Sequence, residues 1–122
     1  MGGNGSAAAG STNTEAGRNW KTVDTLPNGM KVIELKDPKA NHKAPEESHS
    51  PNSVYVMFNK DGKGIKSISK YGSDCKKVFE IHTVPHKGLS PHYHEWSNGR
   101  PGDAKPLTPE MERMLKEAIS YT

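Results

Sequence analysis

Four of the six histidines in the chain fall within thirteen residues, in the segment HTVPHKGLSPHYH that runs from His82 to His94. Imidazole exchanges protons near neutral pH and is also the commonest nitrogen ligand for a transition metal. Two chemistries therefore compete for the segment. In the first, histidines act as base and acid on an RNA phosphodiester, the base taking the 2′-hydroxyl proton and the acid protonating the leaving 5′-oxygen. Cations beside the phosphate hold the charge that develops on it. His82, His92 and His94 are the candidates for proton transfer, and Lys66, Lys70, Lys87 and Arg100 for the phosphate. Tyr93 and Trp96 offer ring faces on which bases can stack. No cofactor enters this chemistry. In the second, His92 and His94 lie on one side of an extended segment and bind a zinc ion together with His86 or His82. The neighbouring carboxylates, Glu80 and Glu95, fall in no ligand pattern. A plainer reading stands beside both, in which the histidines are solvated loop residues and Tyr93 and Trp96 ordinary packing aromatics.

The surroundings suit a phosphate-bearing partner. The chain carries a formal charge of +3 and a pI near 9.0. Seven lysines lie between Lys60 and Lys87, against Asp61, Asp74 and Glu80. Such a face attracts nucleic acid, although lysines alone more often only solubilise a surface. Cys75 is the only cysteine, which excludes an intramolecular disulfide and a zinc site built on thiolates. No apolar run is long enough to span a bilayer and the start of the chain has no signal-peptide core, so no membrane partner is expected. Met1 to Ser6 match the myristoylation pattern, a match that arises easily by accident in so glycine-rich a tail.

These residues need a scaffold. Residues 1–19 are mostly Gly, Ala, Ser, Thr and Asn, and predict a disordered tail or linker with nothing to bury. Residues 20–122 then form a single domain. MKVIEL (30–35), between Pro27-Asn28-Gly29 and Asp37-Pro38, reads as a strand. Residues 37–52, with three prolines, read as an irregular loop whose His42 and His49 are exposed bystanders. SVYVMF (53–58), an Asp61-Gly62 turn, residues 65–71, a turn at 72–74 and KKVFEIHT (76–83) read as an antiparallel meander. Alternation in the last strand sets Phe79 and Ile81 on one face and Val78, Glu80 and His82 on the other. Residues 84–107 read as extended or looped, with 91–96 as a short edge strand that turns His92, His94 and Trp96 to one side. Thr108 as N-cap, Pro109 at the first helical position and the stripe Met111, Met114, Leu115, Ala118, Ile119 mark a closing helix. The expectation is an α+β fold, a small antiparallel sheet of three to five strands packed by a C-terminal helix. The histidines should face a groove with His82 on its far wall and lysines along it.

Tyr71-Gly72-Ser73-Asp74, a strand ending at Ile81, His86, Pro91-His92-Tyr93-His94 and the terminal amphipathic helix together resemble small C-terminal domains of bacterial polymorphic toxins and phage-associated toxin proteins. Several such domains belong to the barnase-like and colicin/RelE-like group of ribonuclease folds. The resemblance spans about residues 52–120. It implies a helix on an antiparallel sheet, RNA as substrate, a cognate immunity protein as partner, and a place as one module of a secreted or phage protein. Such domains often carry glycine or a basic residue where Cys75 stands. The function expected is therefore a metal-independent endoribonuclease toxin domain. The alternative is a non-enzymatic phage or surface-associated module whose histidine cluster is structural or binds metal.

Overall fold

A computed structural model describes residues 19–37, 39–83 and 91–122. The tail expectation, His86 and Lys87 lie outside these residues. Among the described residues, eight strands and one helix follow in order: β1 (Trp20–Thr25), β2 (Lys31–Leu35), β3 (Val54–Phe58), β4 (Ile65–Tyr71), β5 (Lys77–His82), β6 (His92–Ser97), β7 (Arg100–Pro101), β8 (Lys105–Pro106) and α1 (Pro109–Tyr121). They build one sheet in the order β1-β2-β3-β4-β5-β6-β7, with β8 pairing β6. The class is α+β, as expected, but the sheet is larger than three to five strands.

The meander β3-β4-β5-β6 is antiparallel throughout. β2 departs from expectation by pairing β3 in parallel, Lys31 opposite Tyr55 and Ile33 opposite Met57. A parallel neighbour needs a connection of roughly a dozen residues or more, and the loop of residues 36–53 supplies it. β6 is not an edge strand either, since β5 flanks it on one side and β7 and β8 on the other.

The helix covers one face. Its N-cap Thr108 accepts the Met111 amide at 3.2 Å, with Pro109 in the first turn. Met111 and Ala118 pack with Val32, Val56, Ile68, Ile81 and Tyr93. Ile119, expected in this interface, is instead exposed, because α1 meets the sheet along a narrower stripe than its apolar spacing spans.

The crossover loop covers part of the opposite face, its Ala44 packing with Trp20, Ile33, Tyr55, Met57 and Tyr71. It is irregular, as expected, but firmly fastened. Trp20 Nε1 donates to the Lys43 carbonyl at 2.9 Å and the Tyr71 hydroxyl donates to the Pro45 carbonyl. The His49 amide donates to the Tyr55 hydroxyl at 3.0 Å. Lys77 N–H to the Glu46 carbonyl and Ser48 N–H to the Cys75 carbonyl join the loop to the sheet backbone. His42 and His49 are half-buried parts of this cover, which corrects their reading as exposed bystanders.

Candidate active site

Beyond the loop, the same sheet face turns polar. Register aligns Ser67, His82 and His92 in one cross-strand row, and Ser69, Glu80 and His94 in the next. Side chains directly opposite on one face are near neighbours, so β4, β5 and β6 bring six polar groups together. The ring centroids of His82 and His92 are 5.4 Å apart, those of His82 and His94 5.4 Å, and those of His92 and His94 5.1 Å. The expected alternation of His92, His94 and Trp96 is what β6 displays. The expected groove is not, because adjacent paired strands hold their side chains side by side, and the three rings form one cluster rather than two facing walls.

Glu80 anchors the cluster. Its Oε2 accepts from Ser69 Oγ at 2.5 Å and from Lys77 Nζ at 2.8 Å, and its Oε1 contacts His82 Nε2 at 2.7 Å. Burial alone would raise its pKa. The hydrogen bond from His82, the charge and hydrogen bond of Lys77 and the Ser69 hydroxyl together outweigh that and lower it to about 2. Glu80 is therefore ionised at any ordinary pH, paired with a lysine whose side chain is 3% exposed. An ionised carboxylate only accepts, so His82 Nε2 carries the hydrogen and Nδ1 is the nitrogen that changes protonation. At the next row His94 Nδ1 lies 2.8 Å from the Gly102 carbonyl. A carbonyl also only accepts, which leaves Nε2 as the proton-exchanging atom of His94. His82 and His94 are partly exposed, whereas His92 is 2% exposed and belongs to the packed interior.

The other candidates divide by strand parity. Lys66, Ile68 and Lys70 alternate in step along β4, so Lys70 follows Ile68 to the helix face, opposite Val54 and Phe79. There it reaches the Asn52 carbonyl at 3.4 Å, away from the histidines. Lys66 escapes this fate through a β-bulge: Met57 pairs Ser67 and Phe58 pairs Ile65, leaving Lys66 as the extra residue. Its ammonium turns to the loop side and donates to the His42 carbonyl. Burial lowers the pKa of Lys66, the Glu80 charge opposes that, and Lys60 adds to it. Tyr93 lies on the helix face, where its ring packs edge-on against Phe79 at 6.5 Å. It is a core residue and not a stacking platform, which corrects that expectation. Arg100 pairs with Ser97, one residue out of step with Trp96, and register sets it on the other side from the imidazoles. Trp96 keeps the histidine face, with Lys77 Nζ 4.4 Å from its ring centroid.

Sequence reasoning missed Lys77, Ser69 and the anchoring role of Glu80. The Glu-x-His spacing in β5 signals that Glu80 and His82 share a face. Lys77 gives no such signal, because a second register shift, between Lys70 and Tyr71, pushes Val78 out to solvent and turns Lys77 inward. Among the described residues, no group of three or more His, Cys, Asp or Glu is arranged to hold a metal ion. None of their helices is long and apolar enough to cross a membrane. No protein-family model matches the chain, and neither a curated protein nor a solved structure is found similar to it.

Proposed function

We propose that the chain is a metal-independent ribonuclease, acting as a toxin domain on RNA, with a cognate immunity protein as its partner. The observation that supports this reading best is the cluster of three imidazoles with centroids 5.1 to 5.4 Å apart, anchored on Glu80, whose charge also acts on Lys66. A phosphate resting on this cluster meets His82 Nδ1 and His94 Nε2, two nitrogens whose ring partners fix which atom exchanges the proton. One takes the 2′-hydroxyl proton and the other protonates the leaving oxygen. Lys66 supplies positive charge to the phosphorane, and buried His92 holds the other two rings apart and in orientation. Zinc at the same histidines belongs to the second reading, a non-enzymatic module with a structural cluster, which the burial of His92 favours.

RNA degradation with and without a chelator tests the proposal. Cleavage should survive chelation, and His82→Ala and His94→Ala should each slow it by roughly 10²–10⁴-fold with the melting temperature little changed. Absence of cleavage, or cleavage that chelation abolishes and zinc restores, overturns it.

A further inference from the structure

One flank of α1 opens onto a groove of about 470 Å³ beside β8. Pro91, Pro106, Leu107, Leu115 and Ile119 give it apolar walls, and Glu112 and Lys116 border it. Ile119 is 58% exposed, more than any other large apolar side chain among the described residues. The apolar stripe of α1 is therefore wider than the sheet covers: Met111 and Ala118 are buried against it, whereas Ile119 faces water. A lone exposed isoleucine needs no partner, but one that rims an apolar groove suits an interaction site.

We infer that this groove is the contact surface of a symmetric dimer, its occupant the same flank of α1 from a second copy of the chain. Glu112, Leu115, Lys116 and Ile119 recur at i, i+3, i+4 and i+7, so they form one stripe along the helix. The stripe carries one carboxylate and one ammonium, a single turn apart. Among the described residues, ion pairs engage only Lys77, Glu80, His82, Glu95 and Lys105, so neither charge of the stripe is paired. A two-fold axis sets a patch against itself, which demands that the patch be self-complementary. Parallel copies would set Glu112 against Glu112 and Lys116 against Lys116. Antiparallel copies set each Glu112 against the other copy's Lys116, and the charges match.

The spacing fits as well. With the axis at Leu115, Glu112 stands about 4.5 Å to one side along the helix and the second copy's Lys116 about 1.5 Å to the same side. A lysine side chain spans the difference. The two Leu115 side chains then meet on the axis, and each Ile119 reaches over the other copy's groove. Equal charges of both signs also decide against a lipid surface, for which an apolar helix face is flanked by several Lys or Arg. The imidazoles stand on the opposite face of the sheet, so the dimer leaves both clusters open and does not depend on the chemistry they perform.

Sedimentation velocity on the full chain, from about 10 µM to about 1 mM, covers micromolar to millimolar dissociation constants and tests the dimer. The chain should pass from monomer to dimer as concentration rises. Ile119→Glu should leave it monomeric throughout. Lys116→Glu and Glu112→Lys each set like charges together and should each raise the dissociation constant by at least about tenfold. All three positions are exposed, and the melting temperature at the lowest concentration reports that the fold is intact. Mixing the Lys116→Glu chain with the Glu112→Lys chain should restore association, because one copy then offers two carboxylates and the other two ammoniums. A chain that stays monomeric over the whole range, a dimer that survives Ile119→Glu, or a mixture of the two charge variants that fails to associate overturns the inference. So does a monomeric chain that Ile119 instead holds to phosphatidylglycerol vesicles, which would give the groove to a lipid surface.

Discussion

Among the described residues, three donors converge on the Glu80 carboxylate, and the side chains of Ser69 and Lys77 that supply two of them are buried. Replacing Glu80 with glutamine keeps the volume but strands the buried Lys77 charge. Removing one partner of a buried ion pair costs about 3–5 kcal/mol, so Glu80→Gln should lower the urea midpoint by that equivalent. An unchanged midpoint would show that Lys77 finds another partner or loses its proton. The same residue sets an acid limit. Its pKa is 4.5 ordinarily and about 2 in the fold. A carboxylate with a depressed folded-state pKa stabilises fully above its ordinary value, and that contribution fades as pH falls from 4.5 toward 2. The chain should lose stability across that interval, and Glu80→Gln should lose less of it, as measured by denaturation at a series of pH values. Cys75 shows strain of another kind. Its φ of 67° is left-handed, in the turn where Gly72 N–H bonds the Lys76 carbonyl. That conformation costs an L-residue about 1–2 kcal/mol, and the added chain entropy of glycine takes back about 0.5–1. Cys75→Gly should therefore stabilise by roughly 0.5–1 kcal/mol, with equilibrium unfolding as the measure.

Among the elements, α1 separates residues whose sequence spacing makes them equivalent. Met111 is 7% exposed and Ile119 58%. Met111→Ala should cost about 2–5 kcal/mol, and Ile119→Ala no more than about 0.5. Equal costs would mean that the helix packs along the full stripe. The helix, β2 and the meander β3-β4-β5 were legible in the sequence because each carries its own period and is bounded by a turn with a mechanism, such as the Asn59 to Gly64 loop with Gly62 and Gly64 at positive φ. β1 was not legible, since WKTVDT is exposed along most of its length and has weak alternation. Its partnership with β2 was nevertheless implied by Pro27-Asn28-Gly29, where Gly29 N–H returns to the Leu26 carbonyl. β7 carries a signal of its own: Asn98-Gly99 is a two-residue hairpin turn with φ of 54° and 77°, the backbone that this dipeptide favours. The site was legible only as far as parity held. Strand alternation set Glu80 with His82 on one face of β5 and His92, His94 and Trp96 on one side of β6, but the pairing that merges these sets and the two bulges that bring in Lys66 and Lys77 depend on contacts between strands and leave no trace in either strand alone.

On the scale of the whole molecule, the sheet separates two jobs. The helix face holds the aliphatic core. The opposite face is divided between an apolar part under the crossover loop and a polar part with the imidazoles, and the loop joins the two. Its His42 carbonyl receives Lys66, its Glu46 carbonyl receives the Lys77 amide, and its Pro45 carbonyl receives the buried Tyr71 hydroxyl. The fastening of the loop should thus control how firmly the cations stand beside the histidines. Tyr71→Phe tests that coupling because it deletes one hydroxyl and leaves the ring packed, tilted, with its centroid 4.9 Å from that of Tyr55. The Pro45 carbonyl loses a buried donor, a loss of about 1–3 kcal/mol. Hydrogen exchange at the Ser48 and Lys77 amides, both bonded across the loop boundary, should quicken. RNA cleavage should slow in the same variant, although Tyr71 is not itself a member of the imidazole cluster. Were exchange to quicken with cleavage unchanged, Lys66 would be held to the site by β4 alone, and the loop would be a cover for the core with no part in the chemistry.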